Sequence, residues 1–191
     1  MVYPAWAAHI TKLSLLLNEV DLHQEYYTLY GRQVSSPRLV GFYGDNGITY
    51  RYSGQTHHAL PWTPTLTALR DLLIETFNTH SNSVLVNYYR EGHDYMGWHC
   101  DNEPELGPTP TIYSLSFGAN RLFRLRHTST REVLSYDLAN GDLLIMAGQT
   151  QSFWQHALPK QTRVQTERLN LTFRYVYMSG VNPGEFDCAS T

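Results

Sequence analysis

Two stretches, far apart in the chain, carry side chains that bind a transition metal. In Trp98-His99-Cys100-Asp101 an imidazole and a carboxylate stand two residues apart. In an extended segment they share a face and can reach a single divalent ion. Alone, an H-x-D pair is a weak signal. The best third ligand is His156, in Ser152-Phe153-Trp154-Gln155-His156-Ala157-Leu158-Pro159, expected in a turn between two sheet strands. Two histidines and one carboxylate bind one face of an octahedral ion and leave three positions open, as in non-haem iron(II) oxygenases. A zinc hydrolase fits the same donor set. His9, His23, His57, His58 and His80 read as ordinary residues with no ligand-type partner at usable spacing.

Residues 168–177 discriminate between these chemistries. Leu169, Leu171, Phe173, Tyr175 and Tyr177 fall on one face of a strand, and Arg168, Asn170, Thr172 and Arg174 fall on the other. That polar face is a poor core and a good ligand wall. Arg168 and Arg174 are separated by roughly 20 Å of extended backbone, and their long arms can bracket a short dicarboxylate. A zinc hydrolase has no need of such a clamp, whereas an iron enzyme using 2-oxoglutarate does.

These residues need a scaffold, and the chain supplies one. Its 191 residues are 42% apolar and 13% aromatic, enough for one domain with a real core. Trp6, Ile10, Leu13, Leu17 and Val20 recur at helical spacing and predict a helix over 4–20. Thr63-Pro64 is a helix start, followed by a stripe of Leu66, Leu69, Leu73 and Phe77. After Ser81 short alternating runs predict strands over 84–89, 111–117, 122–127, 133–138, 143–146 and 168–177. Two helices supporting an antiparallel double sheet, with a polar site in its mouth, is the expected architecture.

No apolar run is long enough to span a membrane, and no basic segment with a cleavage site opens the chain, so a cytoplasmic, soluble, monomeric protein is expected. Cys100 and Cys188 are too few for a disulfide framework. The net charge of −3 excludes a polycation that coats nucleic acid indiscriminately. Residues 121–174 nevertheless hold eight basic and four acidic side chains, a surplus of +4. Twelve of the fourteen cations are arginine, which suits anionic ligands.

Five motifs, in order, resemble the AlkB family of iron(II)/2-oxoglutarate dioxygenases: Asn87-Tyr88-Tyr89-Arg90-Glu91-Gly92, Trp98-His99-Cys100-Asp101-Asn102-Glu103, Ser114-Leu115-Ser116-Phe117-Gly118-Ala119, His156, and Arg168-Leu169-Asn170-Leu171-Thr172-Phe173-Arg174. The likeness spans about residues 24–176 and is greatest to the duplex-acting DNA-repair branch. It implies a mainly β α+β fold, the double-stranded β-helix or jelly roll, with a nucleotide-recognition lid. Residues 1–191 would form one domain, helices and lid in about 1–80 and jelly-roll core in about 81–178. His99, Asp101 and His156 would hold Fe(II), and Asn87, Tyr89, Arg168, Asn170, Thr172 and Arg174 would hold 2-oxoglutarate, with O2 as second co-substrate.

The resemblance also implies alkylated DNA as partner, with the target base extruded and stacked in a pocket. Residues 47–54 resemble the recognition hairpin, with Tyr52 and His99 against the base, Tyr50 on the rim and Arg51 beside them. Arg38 would support this lid. Asn102 and Glu103 would face an exocyclic amine, and Tyr30-Gly31-Arg32 would form the finger that wedges into the duplex. The implied activity is oxidative removal of N-methyl groups from bases such as 1-methyladenine and 3-methylcytosine, releasing formaldehyde and succinate. RNA or a protein side chain as substrate, and a non-catalytic nucleic-acid-binding module on the same fold, are the alternatives. A nuclear location would follow in a eukaryote, although no targeting run is visible.

Overall fold

The protein is described by a computed structural model covering residues 1–29, 31–52 and 55–178. The N-terminal part runs β1 (Val2–Tyr3), α1 (Leu13–Glu19), β2 (His23–Leu29), β3 (Arg32–Gly44), β4 (Thr49–Tyr52), β5 (Gln55–His58) and α2 (Pro64–Phe77). Then follow β6 (Ser83–Tyr89), β7 (Met96–His99), a 3-10 turn at Pro104–Leu106, β8 (Ile112–Gly118), β9 (Arg121–His127) and β10 (Val133–Leu138). The C-terminal elements are β11 (Leu143–Met146), α3 (Thr150–Phe153), β12 (Trp154–Leu158) and β13 (Arg168–Arg174). The ordering is antiparallel throughout the two main sheets: seven strands in the order β1-β11-β8-β13-β6-β3-β2, and four in the order β10-β9-β12-β7. A third, two-stranded sheet is the β4–β5 hairpin. This is the mainly β jelly-roll architecture.

Alternation decides which side of the large sheet faces what. Leu169, Leu171 and Phe173 on β13, Val84 and Val86 on β6, and Leu115 and Phe117 on β8 are fully buried in one cluster with Leu16 of α1 and Leu66, Leu69 and Leu73 of α2. Burying each such side chain contributes roughly 1.5–3 kcal/mol. The opposite face of the same strands turns towards the four-stranded sheet, where Tyr89, Ile112, Phe123, Leu125, Leu144 and Leu158 form a second cluster. The polar positions of β13 are therefore forced into the space between the sheets.

Helix α2 starts where the capping signal placed it: the Thr63 hydroxyl accepts from Leu66 N, and Asn78 ends the helix in the left-handed region. The first helix is much shorter than the expected 4–20. Val2 and Tyr3 pair with β11, Ala5 N donates to Asp142 Oδ1 at 2.8 Å, and Ala7 N donates to Gly141 O at 2.9 Å. Ala5 has φ +51°, which a right-handed helix cannot accommodate. The β10–β11 turn thus captures residues that helical periodicity alone would coil. Residues before 80 also supply β1, β2 and β3 to the large sheet, so the strands extend beyond the 81–178 expected for the core. The last strand ends at Arg174, three residues short of the expected 177.

Candidate active site

His99 ends β7, His156 lies in the middle of β12, and these two positions are direct register partners. His156 is thus in a strand, not the expected turn; the turn precedes it, at Thr150–Phe153, and β12 is held on both sides by β9 and β7. Asp101 Oδ1 lies 3.7 Å from His99 Nε2 and 3.9 Å from His156 Nε2. One ligand atom from each of the three falls within 4.8 Å of the others. Two donors at right angles about 2.1 Å from an ion are roughly 3 Å apart, so both Asp101 separations suit one shared ion.

The surrounding groups prepare these donors. His99 Nδ1 is 2.8 Å from Gly97 O, which fixes the Nδ1–H tautomer and leaves Nε2 as a lone-pair donor. Burial, reinforced by the charge of His99, pushes His156 down to about 3, so its imidazole is neutral and competent to ligate. Burial pushes the Asp101 carboxyl up, but Arg174 and the two imidazoles pull it down further, to about 2. Asp101 N donates to Gln151 Oε1 at 2.9 Å, which anchors the backbone of this ligand.

Both arginines of β13 point inward, as alternation requires. Arg168 is 1% and Arg174 6% exposed, and both line the cavity that also contains the three metal-type ligands. They are not equivalent. Arg174 Nη2 donates to Asp101 Oδ2 at 2.6 Å, which places it at the metal end. Burial lowers the Arg174 pKa, but Asp101 together with Tyr50 and Glu103 holds it above the usual arginine range. Arg168 lies at the other end, donating to Ser116 Oγ at 2.9 Å and Leu138 O at 3.2 Å, and burial lowers it to about 10. Each guanidinium keeps a buried Nε–H with no partner among the described residues. Two unspent cationic donors at opposite ends of one cavity fit a dicarboxylate.

The remaining co-substrate candidates gather around this pair. Asn87, Tyr89, Asn170 and Thr172 all line the cavity. Arg38 Nε donates to Asn87 Oδ1 at 2.6 Å, which orients the amide with its NH2 as the donor. Asn170 is tied to Ser114 Oγ and Leu115 O, and accepts from the Thr172 hydroxyl through Oδ1. It braces the wall of the cavity.

The substrate candidates are more dispersed. Arg38 is 2% exposed inside the protein, against the inner end of the β4–β5 hairpin. Tyr50, expected on the rim, is 2% exposed and forms part of the cavity wall, with the Arg174 guanidinium over its ring at 5.5 Å and a hydrogen bond to Glu103. The reason is strand alternation: Tyr50 faces inward from β4, packing on Phe42, and Arg51 faces solvent. Asn102 is exposed and Glu103 half-buried, with Glu103 Oε2 buried and unpartnered among the described residues. Gly31, at φ +73°, and Arg32 are exposed at the β2–β3 turn. Tyr30 and the side chain of Tyr52 lie outside the described residues.

Sequence reasoning missed four groups. Gln151 and Ser116 contact site residues 50 and 52 positions away in the chain, a separation no local pattern reports. Arg121 is fully buried and donates to Glu91 O, Asp94 O, Pro159 O and Gln161 Oε1, tying together two loops beside the cavity. His23 and His57, expected to lack a ligand-type partner, converge on Glu25.

The zinc-hydrolase reading of the donor set has no use for two buried guanidiniums facing the triad, whereas a keto diacid between the sheets needs both. The family profile described as "2OG-Fe(II) oxygenase superfamily" matches residues 2–174, and the chain belongs to that superfamily, a dioxygenase with Fe(II) as its metal and 2-oxoglutarate and O2 as co-substrates. Within it the protein is a member of the AlkB family. It is 40% identical over 176 residues to mouse "DNA oxidative demethylase ALKBH2", covering 84% of this chain and 74% of that one. The human protein of the same name is 37% identical, covering 86% and 69%. Rat "Alpha-ketoglutarate-dependent dioxygenase alkB homolog 3" is 42% identical over 151 residues, 74% of this chain and 50% of its own. A solved structure titled "The structure of OsALKBH1" shares the fold, with a TM-score of 0.60 at 17% identity over 91% of this chain and 96% of that one. No helix among the described residues is long and apolar enough to cross a membrane.

Proposed function

We propose that this protein is an oxidative demethylase of N-alkylated bases in DNA, acting on lesions of the 1-methyladenine and 3-methylcytosine type and releasing formaldehyde and succinate. The observation that carries the reading is the convergence of His99, Asp101, His156, Arg168 and Arg174 on one cavity bordered by Tyr50 of the hairpin. The names of the mouse and human relatives support DNA as the substrate.

In this reading His99 Nε2, Asp101 Oδ1 and His156 Nε2 hold the iron, which supplies oxidation of the substrate's N-methyl carbon coupled to decarboxylation of 2-oxoglutarate. Arg168 binds the remote carboxylate of the co-substrate, aided by the Tyr89 hydroxyl on its register partner. Arg174, already on Asp101, neutralises the metal end. Asn87, its oxygen engaged by Arg38, donates through its amide nitrogen. Thr172 and Asn170 hold the intervening wall. Tyr50, Glu103, Asn102 and Arg51 border the approach of an extruded base, and Gly31 and Arg32, at the β2–β3 turn, meet the duplex; the sequence resemblance alone assigns Tyr52 to the base and Tyr30 to the duplex finger.

The test is formaldehyde and succinate release with Fe(II) and 2-oxoglutarate from matched single-stranded and duplex DNA and RNA oligonucleotides, each bearing one methylated base. Lesion-dependent release from DNA is expected. Release from RNA alone moves the substrate to RNA, and 2-oxoglutarate turnover unaffected by any oligonucleotide sinks the nucleobase reading.

A further inference from the structure

We propose that His23, Glu25 and His57 form a second binding site for a divalent metal of the zinc class, which fastens the β4–β5 hairpin to edge strand β2. The inference is independent of the substrate assigned above. Glu25 and His23 stand two apart on β2, and the register with β3 shifts between Gln24 and Tyr26. The extra residues of that irregularity, 36–38, lie on β3 opposite Glu25, and alternation turns Glu25 inward, so it is 6% exposed while the neighbouring Tyr26 is 49% exposed. His57 approaches from β5, with Nε2 3.6 Å from Glu25 Oε1. One ligand atom from each of the three residues lies within 4.8 Å of the others.

The carboxylate is prepared for a single-oxygen bond to a metal. The Tyr27 hydroxyl donates to Glu25 Oε2, which occupies that oxygen and leaves Oε1 towards the two imidazoles. Two histidines and one carboxylate, with one position open to solvent at the exposed His23, are a zinc-type donor set. Arg38 lines the same small cavity, and its Nε and Nη1 donate to Asn87 Oδ1 and Ser36 Oγ. His57 is the register partner of Tyr50, whose side chain walls the active cavity. A metal here would couple the stiffness of the hairpin to the position of Tyr50.

The experiment measures zinc bound per chain by equilibrium dialysis of chelator-stripped protein, alongside tryptic cleavage after Arg51, which is exposed on β4. Two zinc ions are expected for the unaltered protein, and one each for His57→Ala, His23→Ala and Asp101→Ala. Zinc should slow cleavage at Arg51 roughly tenfold or more in the unaltered protein and in Asp101→Ala, but not in His57→Ala or His23→Ala. One zinc per unaltered chain, or two retained by both histidine variants, overturns the site and leaves His57 and Glu25 as an ion pair only. If His57→Ala misfolds and loses both ions, His23→Ala, altered at an exposed position of an edge strand, decides by the same count.

Discussion

Asp101 does two jobs that pull in different directions. It offers Oδ1 to a metal, and through Oδ2 it is the counter-ion of the buried Arg174. Removing only its charge therefore leaves an uncompensated guanidinium inside the protein. Asp101→Asn should cost the metal-free protein about 3–5 kcal/mol in urea unfolding, and Asp101→Asn with Arg174→Met should recover most of that while neither variant binds metal. The pH dependence follows from the same pair. Burial raises the Asp101 carboxyl, Arg174 and the two imidazoles together lower it more, and it ends at about 2 against an ordinary 3.8. Its stabilising contribution is complete above the ordinary value and is lost as pH falls through 2, so acid unfolding in that window should be shallower in Asp101→Asn. Gln151→Leu should leave the fold intact but weaken metal binding about 10-fold or more, read by competition with a chelator, because the amide anchors the Asp101 backbone. His99 and Asp101 were legible in the sequence because strand alternation is local. The Arg174–Asp101 contact spans 73 positions, so sequence reading assigns Arg174 to the co-substrate and cannot see its second partner.

Elements position these side chains through a few close backbone approaches. Gly92 N donates to Val164 O and Gly92 O accepts from Gln161 N, which joins the loop after β6 to the loop before β13. A Cβ at Gly92 would meet Gln161 O at 1.9 Å, a collision with backbone that no rotamer relieves. Gly92→Ala should therefore part these loops and destabilise the protein by about 1–3 kcal/mol, seen as a lower thermal midpoint and faster hydrogen exchange at Gln161. Element-level legibility divides on the same physical ground. Helix α2 was readable because its cap, its proline and its apolar stripe are all contiguous. Strands β10 and β11 match the expected 133–138 and 143–146, since a tight turn separates two alternating runs. The long first helix failed because its residues are held by Gly141 and Asp142, more than 130 positions on. Strands β7 and β12 are short and were invisible for a related reason: they exist by pairing with each other and with β9, not by their own propensity.

At the scale of the whole molecule, the basic surplus of residues 121–174 is not a surface patch. Arg121, Arg168 and Arg174 are 0%, 1% and 6% exposed, and their charges serve the interior. Arg126 donates to Gln155 Oε1 and lies over the Trp98 ring at 4.3 Å. The cations of that segment left facing solvent are Arg124, Arg131, Lys160 and Arg163. Duplex affinity set by phosphate neutralisation falls with log salt at about 0.9 per contact, so this segment, with only four outward cations, should contribute few phosphate contacts and only a small part of the salt slope. Lys160 and Arg163 sit in the loop that follows β12, immediately after the strand bearing His156, which makes them the cations nearest in sequence to the metal site. Replacing both by alanine should reduce the magnitude of the log–log salt slope for duplex binding by about 2, measured by fluorescence anisotropy over a salt series. Formaldehyde release from a free methylated nucleoside should be unaffected by the same change, because neither residue lines the cavity. A slope that does not move would place the phosphate track elsewhere, on the Arg32 and Arg51 side of the cleft.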